Sequence, residues 1–218
     1  FEPLGMPTVS ELNTQKLNAV FPVSRETLDR LEHFVRLFEK WSRAINLVAP
    51  STLPDIWNRH ILDSLQLYAL NSGAKHWVDL GSGGGFPGII TAILLLETDG
   101  GHVDLIESNQ KKAAFLRQAL LETGAKGAVH AVRIEEASQK LNGYDAISAR
   151  AVASLDALLA YSANWIAQGA TAWFHKGRDY QTEIEKARGG WDFDLVKHPG
   201  KVDADSIILE ISNLSRRN

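Results

Sequence analysis

Apolar residues recur at steps of three and four between Ser24 and Ile45: Leu28, Leu31, Val35, Phe38, Trp41 and Ile45. That spacing lines one face of a helix, and charged residues fill much of the other. The segment therefore predicts an amphipathic helix laid on a larger body, with Ser24 placed to cap it. Asn46 to Pro50 ends it. A second helix is predicted from Leu53 to Leu70, closed by Ser72-Gly73. Ahead of both, residues 1–23 hold three prolines and a possible short helix from Thr8 to Val20. This part reads as a partly mobile arm lying over the body.

After Lys75 the pattern changes to strand alternating with helix. The spacing predicts strands at Trp77–Gly81, His102–Glu107, Ala128–Arg133, Tyr144–Ala149 and Thr171–His175. Helices are predicted at Pro87–Glu97, Asn109–Thr123, Glu135–Lys140, Ser154–Ile166 and Asp179–Lys186. Such alternation means right-handed βαβ units and a doubly wound, mostly parallel α/β sheet. Two further strands, Trp191–Lys197 and Ile207–Ile211, have only a loop between them. They should form an antiparallel hairpin at the sheet edge, because a parallel crossover needs a dozen or more residues. The expected whole is one domain with a seven-stranded sheet: a helical extension over 1–74 and a Rossmann-like core over 75–218.

Composition adds limits. The length of 218 residues suits one domain with a sizeable core. There is no cysteine, which removes disulfides, thiolate metal sites and cysteine nucleophiles, and no metal site is read elsewhere. The chain opens on Phe1, read as a trimmed start, and shows no basic-then-apolar leader. Its longest mostly apolar run, Ile89 to Leu96, is far too short to span a bilayer. A cytoplasmic monomer without membrane contact is expected. The net charge of −3 means that any nucleic-acid binding must come from a local patch. Candidates are Arg25, Arg59, His60, Lys111, Lys112, Arg150, Lys176 and Arg178.

The densest chemistry lies from His76 to Ile90, where five glycines fall within the eight residues Gly81 to Gly88. Gly83-Gly84-Gly85-Phe86-Pro87-Gly88 fits the dinucleotide fingerprint G-x-G-x-x-G. Read from Asp79 to Gly85, the same stretch fits D-x-G-x-G-x-G, the S-adenosylmethionine turn. A dinucleotide brings an anionic pyrophosphate to the helix N-terminus. Asp79 would repel it, and Pro87 would remove one backbone donor. S-adenosylmethionine brings an ammonium and a sulfonium, so Asp79 becomes an asset. The chemistry favours S-adenosylmethionine over a nicotinamide dinucleotide, and over glycines that serve only a tight turn.

Glu107 ends the second strand about 20 residues past the turn, where an acid can accept both ribose hydroxyls; it could also be a solvated strand end. Arg133-Ile134-Glu135-Glu136 follows the third strand, where an adenine is gripped, or where a helix simply starts with acids in its first turn. Arg150 ends the fourth strand behind Ala149 and is hard to explain as core. His175-Lys176-Gly177-Arg178 puts another basic cluster on the same edge. Arg59 and Asp63 can pair at i,i+4 on the second helix. From these residues alone, a helix salt bridge with His60 as a cap is favoured over a roof on the site.

The missing residues narrow the reaction. Pyrimidine C5 methylation needs a thiolate, and there is none. Exocyclic-amine methylation usually goes with an Asn/Asp-Pro-Pro-aromatic tetrad, where this chain has Ser148-Ala149-Arg150-Ala151. What remains is an atom that is already nucleophilic, such as guanine N7, for which alignment and exclusion of water suffice.

These residues resemble one family: the bacterial small-subunit (16S) ribosomal RNA guanine-N7 methyltransferases, once called glucose-inhibited division protein B. The resemblance rests on Asn46-Leu47, on Arg59-His60-Ile61-Leu62-Asp63-Ser64, and on Asp79 through Ile89. Arg133 to Glu136, Ser148 to Ala151, Ala153-Ser154-Leu155 and Lys176-Gly177 extend it over most of the chain from Val23. It implies a Rossmann-like class I S-adenosylmethionine-dependent methyltransferase acting on N7 of one guanine in the decoding-region loop of 16S rRNA. Carried over by position, cofactor contacts would fall at Gly81, Phe86, Ile134, Glu135 and Arg150. Asp79, Gly83, Gly85 and Glu107 join them from the turn and the second strand. Glu107 stands where many members have Asp. Arg150, Lys176, Arg59 and His60 would position the substrate, which is 16S rRNA or the small ribosomal subunit. The alternatives are a small-molecule or protein methyltransferase, and a ribosome-assembly factor that keeps the fold without catalysis.

Overall fold

A computed structural model describes residues 9–217. The helix start expected at Thr8, and the arm before it, lie outside the described residues. Seven strands form one sheet in the order β3-β2-β1-β4-β5-β7-β6. They are β1 His76–Leu80, β2 His102–Ile106, β3 Gly127–His130, β4 Ala146–Arg150, β5 Thr171–Lys176, β6 Trp191–Pro199 and β7 Ile207–Arg216. The first five run parallel, and β7 pairs antiparallel with both β5 and β6. The expected edge hairpin is present. Most strand ends lie within three residues of the pattern; β3, a half-buried edge strand, stops three residues early at His130, and β7 runs five residues further than expected, to Arg216.

The central strands are covered on both faces, which is why they read as near-continuous apolar runs. Trp77, Val78, Leu80, Val103, Leu105, Ile106, Ile147 and Phe174 are buried. Asp104 is the polar exception in β2. Its carboxylate accepts from Tyr144 Oη at 2.7 Å and lies 2.8 Å from His130 Nε2, tying β2 to the segment before β4 and to β3.

On one face, α4 (Gly88–Leu94) and α5 (Gln110–Thr123) pack beneath α1 (Val9–Val20), α2 (Arg25–Ser42) and α3 (Asp63–Leu70). Ser24 caps α2, its Oγ accepting from Thr27 N at 3.1 Å. The apolar face of α2 carries Phe34 and Phe38, both fully buried. Their rings meet Phe86 of the glycine turn at 5.6 and 5.3 Å, and both also contact Phe115 of α5. Leu17 of α1 is buried, and Phe21 packs edge-on against Tyr68 of α3.

One expected element is corrected. The helix read from Leu53 to Leu70 is three pieces: a 3-10 turn at Pro50–Asp55, a π turn at Trp57–Leu62, and α3. Pro54 has no N–H to donate, which breaks regular winding inside the first piece. The π turn widens the backbone where Arg59 and His60 sit, and the Arg59 carbonyl accepts from Arg150 Nη2 at 3.0 Å.

The other face is covered by α6 (Ile134–Lys140), α7 (Leu155–Ala167) and α8 (Tyr180–Arg188). The β6–β7 hairpin is pinned to α3 by Gln66, which donates to Pro199 O at 2.8 Å and accepts from Lys201 N at 2.9 Å. This brings the hairpin loop back over the carboxyl edge of the sheet. No helix among the described residues is long and apolar enough to cross a membrane.

The aromatic layer under α2 should dominate the stability of this face. Phe38→Ala is expected to lower the unfolding free energy in urea by about 3–5 kcal/mol. A loss below about 1 kcal/mol would mean that the Phe34–Phe38–Phe86–Phe115 packing is absent in solution.

Candidate active site

Parallel strands deliver their carboxyl ends to one edge, and the register aligns the residues just past them. Leu80 pairs with Ile106 and Ala149, and Arg150 with His175. Gly81, Glu107, Arg150 and His175 therefore stand in one row, with Lys176 one residue beyond it and the topological switch between β1 and β4 at its centre.

The turn from Gly81 to Phe86 is closed by its own backbone. Ser82 N donates to Ile106 O at 2.9 Å, and Gly85 N to Ser82 O at 2.7 Å. Gly81, Gly83 and Gly85 have φ of 62°, 51° and 90°, a region that L side chains rarely adopt. Gly84 is glycine for a different reason. A methyl group there would come within 2.9 Å of Phe38 and 3.0 Å of the Leu47 carbonyl. At Gly83, by contrast, the nearest neighbour of such a methyl is Gly81 O at 3.7 Å, so that face of the turn is open.

Glu107 is bound to this turn. Its Oε2 accepts from Gly83 N and its Oε1 from Asn109 N, each at 2.8 Å. Asn109 in turn caps α5 through Lys111 N and Lys112 N. The carboxylate is thus fixed beside the open face with lone pairs to spare. Asp79 lies elsewhere. It is fully enclosed beneath the turn, with Oδ1 accepting from Ser148 Oγ at 2.6 Å and Oδ2 without a partner. A methyl at Gly88 would fall 2.4 Å from that oxygen. Burial pushes the Asp79 carboxyl up to about 6, against the hydrogen bond from Ser148. Any effect of Asp79 on a ligand passes through the turn above it. Ile134 and Glu135 open α6 after β3, and Glu136 is engaged by Lys140 Nζ at 2.6 Å.

Across the turn sits a cluster that the sequence reading underrated. Arg150 Nη2 approaches His60 Nδ1 at 2.9 Å. A guanidinium only donates, so Nδ1 must accept and the His60 proton sits on Nε2, facing Thr52 Oγ1 at 2.9 Å. The ring stacks on Phe86 with centroids 4.9 Å apart. Burial first, then Arg150, lowers the His60 pKa from 6.5 to about 4, so the ring is neutral at pH 7. Asp63 lies 3.6 Å from Arg150 Nε and 3.4 Å from His175 Nε2. Burial alone would raise the Asp63 pKa, but His175 and Arg150 outweigh it and hold it below the usual carboxylate range. Arg150 Nη1, Asp63 Oδ1 and His175 Nδ1 are buried without partners.

A cleft of about 1050 Å³ opens beside this cluster, with Arg59, His60, Asp63, Arg150, Val152 and Lys176 among its lining residues. Lys16 of α1 and Lys201 of the hairpin loop line it too, two cations that local pattern could not bring there. Of the expected basic patch, Arg59, His60, Arg150 and Lys176 gather here. Arg178 pairs with Asp205 at 2.7 Å. Lys111 and Lys112 start α5 on the Glu107 side. Arg25 does not join them, because the N–H of neighbouring Ser24 is held by Glu97, ahead of the amino end of β2. Lys176 is at the cleft but buried, with its ammonium on Ala153 O and Glu183 Oε2.

Between pH 6.5 and about 4, the unfolded chain holds a proton on His60 that the folded protein excludes. His60 therefore makes stability fall as the pH drops through that window, by roughly 3 kcal/mol in all. NMR of its ring carbons should show no titration until the pH approaches 4; a midpoint near 6.5 would mean that the ring is neither buried nor held against Arg150 in solution.

Comparison with known proteins fits this architecture. A putative O-methyltransferase from Klebsiella pneumoniae superposes with a TM-score of 0.60 at 12% identity, covering 93% of this chain and 96% of that one. An O-methyltransferase from Bacillus cereus in complex with SAH gives 0.58 at 16% identity, covering 92% and 96%. These likenesses speak for the fold, that of class I methyltransferases. Sequence comparison goes further. Ribosomal RNA small subunit methyltransferase G of Rhizobium meliloti (strain 1021) is 63% identical over 207 residues, 94% of this chain and 97% of that protein. The protein of that name in Rhizobium rhizogenes (strain K84 / ATCC BAA-868) is 60% identical over 204 residues, 93% of this chain and 99% of that protein. The family model for rRNA small subunit methyltransferase G matches residues 27–203, and the chain belongs to that family.

Proposed function

We propose that the protein methylates N7 of a specific guanine in the decoding-region loop of 16S rRNA, with S-adenosylmethionine as donor. The observation that carries this reading is the pairing of an open glycine turn, backed by the fixed Glu107 carboxylate, with a cation-lined cleft beside it. Glu107 has acceptor capacity left for two ribose hydroxyls, next to the one glycine of the turn whose face is free. Gly81, Gly83, Gly85 and Phe86 would hold the cofactor's middle, and Ile134 and Glu135 its adenine. Asp79 would act from below on its cationic end.

S-adenosylmethionine, when bound, supplies a methyl group on a sulfonium. Guanine N7 has a free lone pair and needs no proton removed before it attacks. The titratable groups at the cleft suit such a reaction, because each already has at least one protein partner, although Asp63 Oδ1 and His175 Nδ1 stay free. His60 has both ring nitrogens in hydrogen bonds, Asp63 faces His175 and Arg150, and Glu183 faces Lys176. What these residues can do is hold and orient. Arg150 Nη1 has no protein partner and would be one donor for a ligand at the cleft. The neutral His60 adds no second positive charge beside a sulfonium. Arg59, Lys16 and Lys201 would meet RNA phosphates at the mouth of the cleft, which makes binding strongly salt-dependent.

The direct test is to incubate the purified protein with labelled S-adenosylmethionine and small ribosomal subunits from a strain lacking the gene. One N7-methylguanosine in 16S rRNA is expected by mass mapping; transfer to another atom, or none, would refute the reading. Two variants probe its parts. Gly83→Asp meets no close neighbour, costs backbone strain at a φ of 51° that aspartate tolerates better than most residues, and sets a second carboxylate beside Glu107, so calorimetry on the folded variant should detect no cofactor binding. An affinity equal to that of the parent would remove the turn from the cofactor site. Arg150→Ala should lower turnover about 100-fold, the scale of a lost positioning contact, with a smaller effect on melting. If melting falls while activity per folded molecule holds, Arg150 is structural.

A further inference from the structure

Lys176 ends β5 at the cleft, where a basic residue invites an RNA contact. The structure uses it differently. Its buried ammonium donates to Ala153 O at 2.8 Å and to Glu183 Oε2 at 2.7 Å. The same Glu183 oxygen accepts from Leu155 N at 2.6 Å. One carboxylate on α8 therefore joins the end of β5, the first residue of α7 and, through Lys176, the loop between β4 and α7.

That loop, Arg150 to Ser154, is under constraint. Ala151 has a φ of 52°, a left-handed conformation costing a non-glycine residue about 1–2 kcal/mol. Val152 then lies against the first glycine of the turn: a methyl at Gly81 would fall 2.4 Å from its Cγ2. At the root of the loop, the Arg150 guanidinium bears on His60 and the Arg59 carbonyl. Ser154 caps α7 at Ala157 N, and Glu183 satisfies a second free amide at Leu155 N, but helix capping does not call for the contact with Lys176. Nor is an ion pair with one partner partly exposed to water by itself a good source of stability.

We propose that Glu183 is a positioning residue for methyl transfer. Through Lys176 and the Leu155 N–H it holds the Arg150–Ser154 loop down, which sets Val152 over Gly81 and fixes the Arg150 side chain at the cleft. Lys176 is then a hook for this loop and makes no phosphate contact. The inference rests on the reading of the turn as the cofactor site and the cleft as the base site.

The test compares Glu183→Ala, Glu183→Gln and Lys176→Met in the full chain, with small subunits as substrate. Glu183→Ala should raise KM for S-adenosylmethionine and lower kcat, each about tenfold, the scale of a modest misplacement of aligned groups. Lys176→Met should do the same. RNA affinity and its salt slope should stay at the parent values in both. Glu183→Gln should recover most of the loss, since its amide oxygen can still accept from Leu155 N and Lys176. Amide exchange at residues 151–154 should quicken in the Ala and Met variants alone. The proposal is overturned if kinetic constants per folded molecule are unchanged while melting falls. It is also overturned if Lys176→Met lowers the RNA salt slope by about one and leaves the cofactor KM alone. Failure of the parent protein to bind S-adenosylmethionine would instead refute the underlying functional reading, and this inference with it.

Discussion

The site depends on how closely three layers approach a turn that has almost no side chains. From above, Phe38 and the Leu47 carbonyl leave no space for a methyl at Gly84. From below, the Asp79 carboxylate presses on Gly88. From the side, Val152 covers Gly81. Every one of these contacts needs glycine, so the glycines serve the protein's own packing before any ligand arrives. Only the face at Gly83 is left open, and Glu107 stands beside it. The N-terminal helical layer is for this reason part of the site: it supplies Phe34 and Phe38 to the turn, and His60 and Asp63 to the cleft.

Burial sets the electrostatics in one direction. It raises Asp79 and lowers His60, so the charged form of each group is disfavoured on either side of the turn. Asp63 escapes because His175 and Arg150 face it. An environment of this kind suits a reaction that moves a methyl group from a cation to a neutral base. No proton has to be taken, and an extra positive charge near the donor would only weaken its binding. Alignment is what the fold can supply, and the rigid parts serve it: strand ends in register, an aromatic stack under His60, and a loop pinned by the half-buried Glu183 carboxylate.

Much of this was legible in the amino-acid order because it is local. Strand-helix alternation, the cap at Ser24, the helix start at Ser154, the hairpin and the glycine turn all come from spacing and turn chemistry within a few residues. The misses have physical reasons. Pro54 marked a break that the apolar periodicity on either side concealed, so three pieces read as one helix. Asp79 read as a ligand group because sequence tells which strand end a carboxylate occupies, not which way its side chain is enclosed. Lys176 read as a free cation because its partner Glu183 lies across a turn on the next helix. Asp63 and His175 are 112 residues apart, and Lys16 and Lys201 farther still; only the folded sheet edge brings such pairs to one cleft. His60 reads from sequence as a cap on the N-terminal subdomain; its stacking on Phe86 and its contact with Arg150 place it at the cleft.

The proposed division of the site is spatial: cofactor over the turn, base in the cleft. A crystal structure with S-adenosylhomocysteine decides it. Both ribose hydroxyls should rest on Glu107 and the adenine against Ile134 and Glu135, with the 1050 Å³ cleft lined by Arg59 and Arg150 left free. Density for the ligand inside that cleft, with Glu107 still bound only to Gly83 and Asn109, would contradict this division.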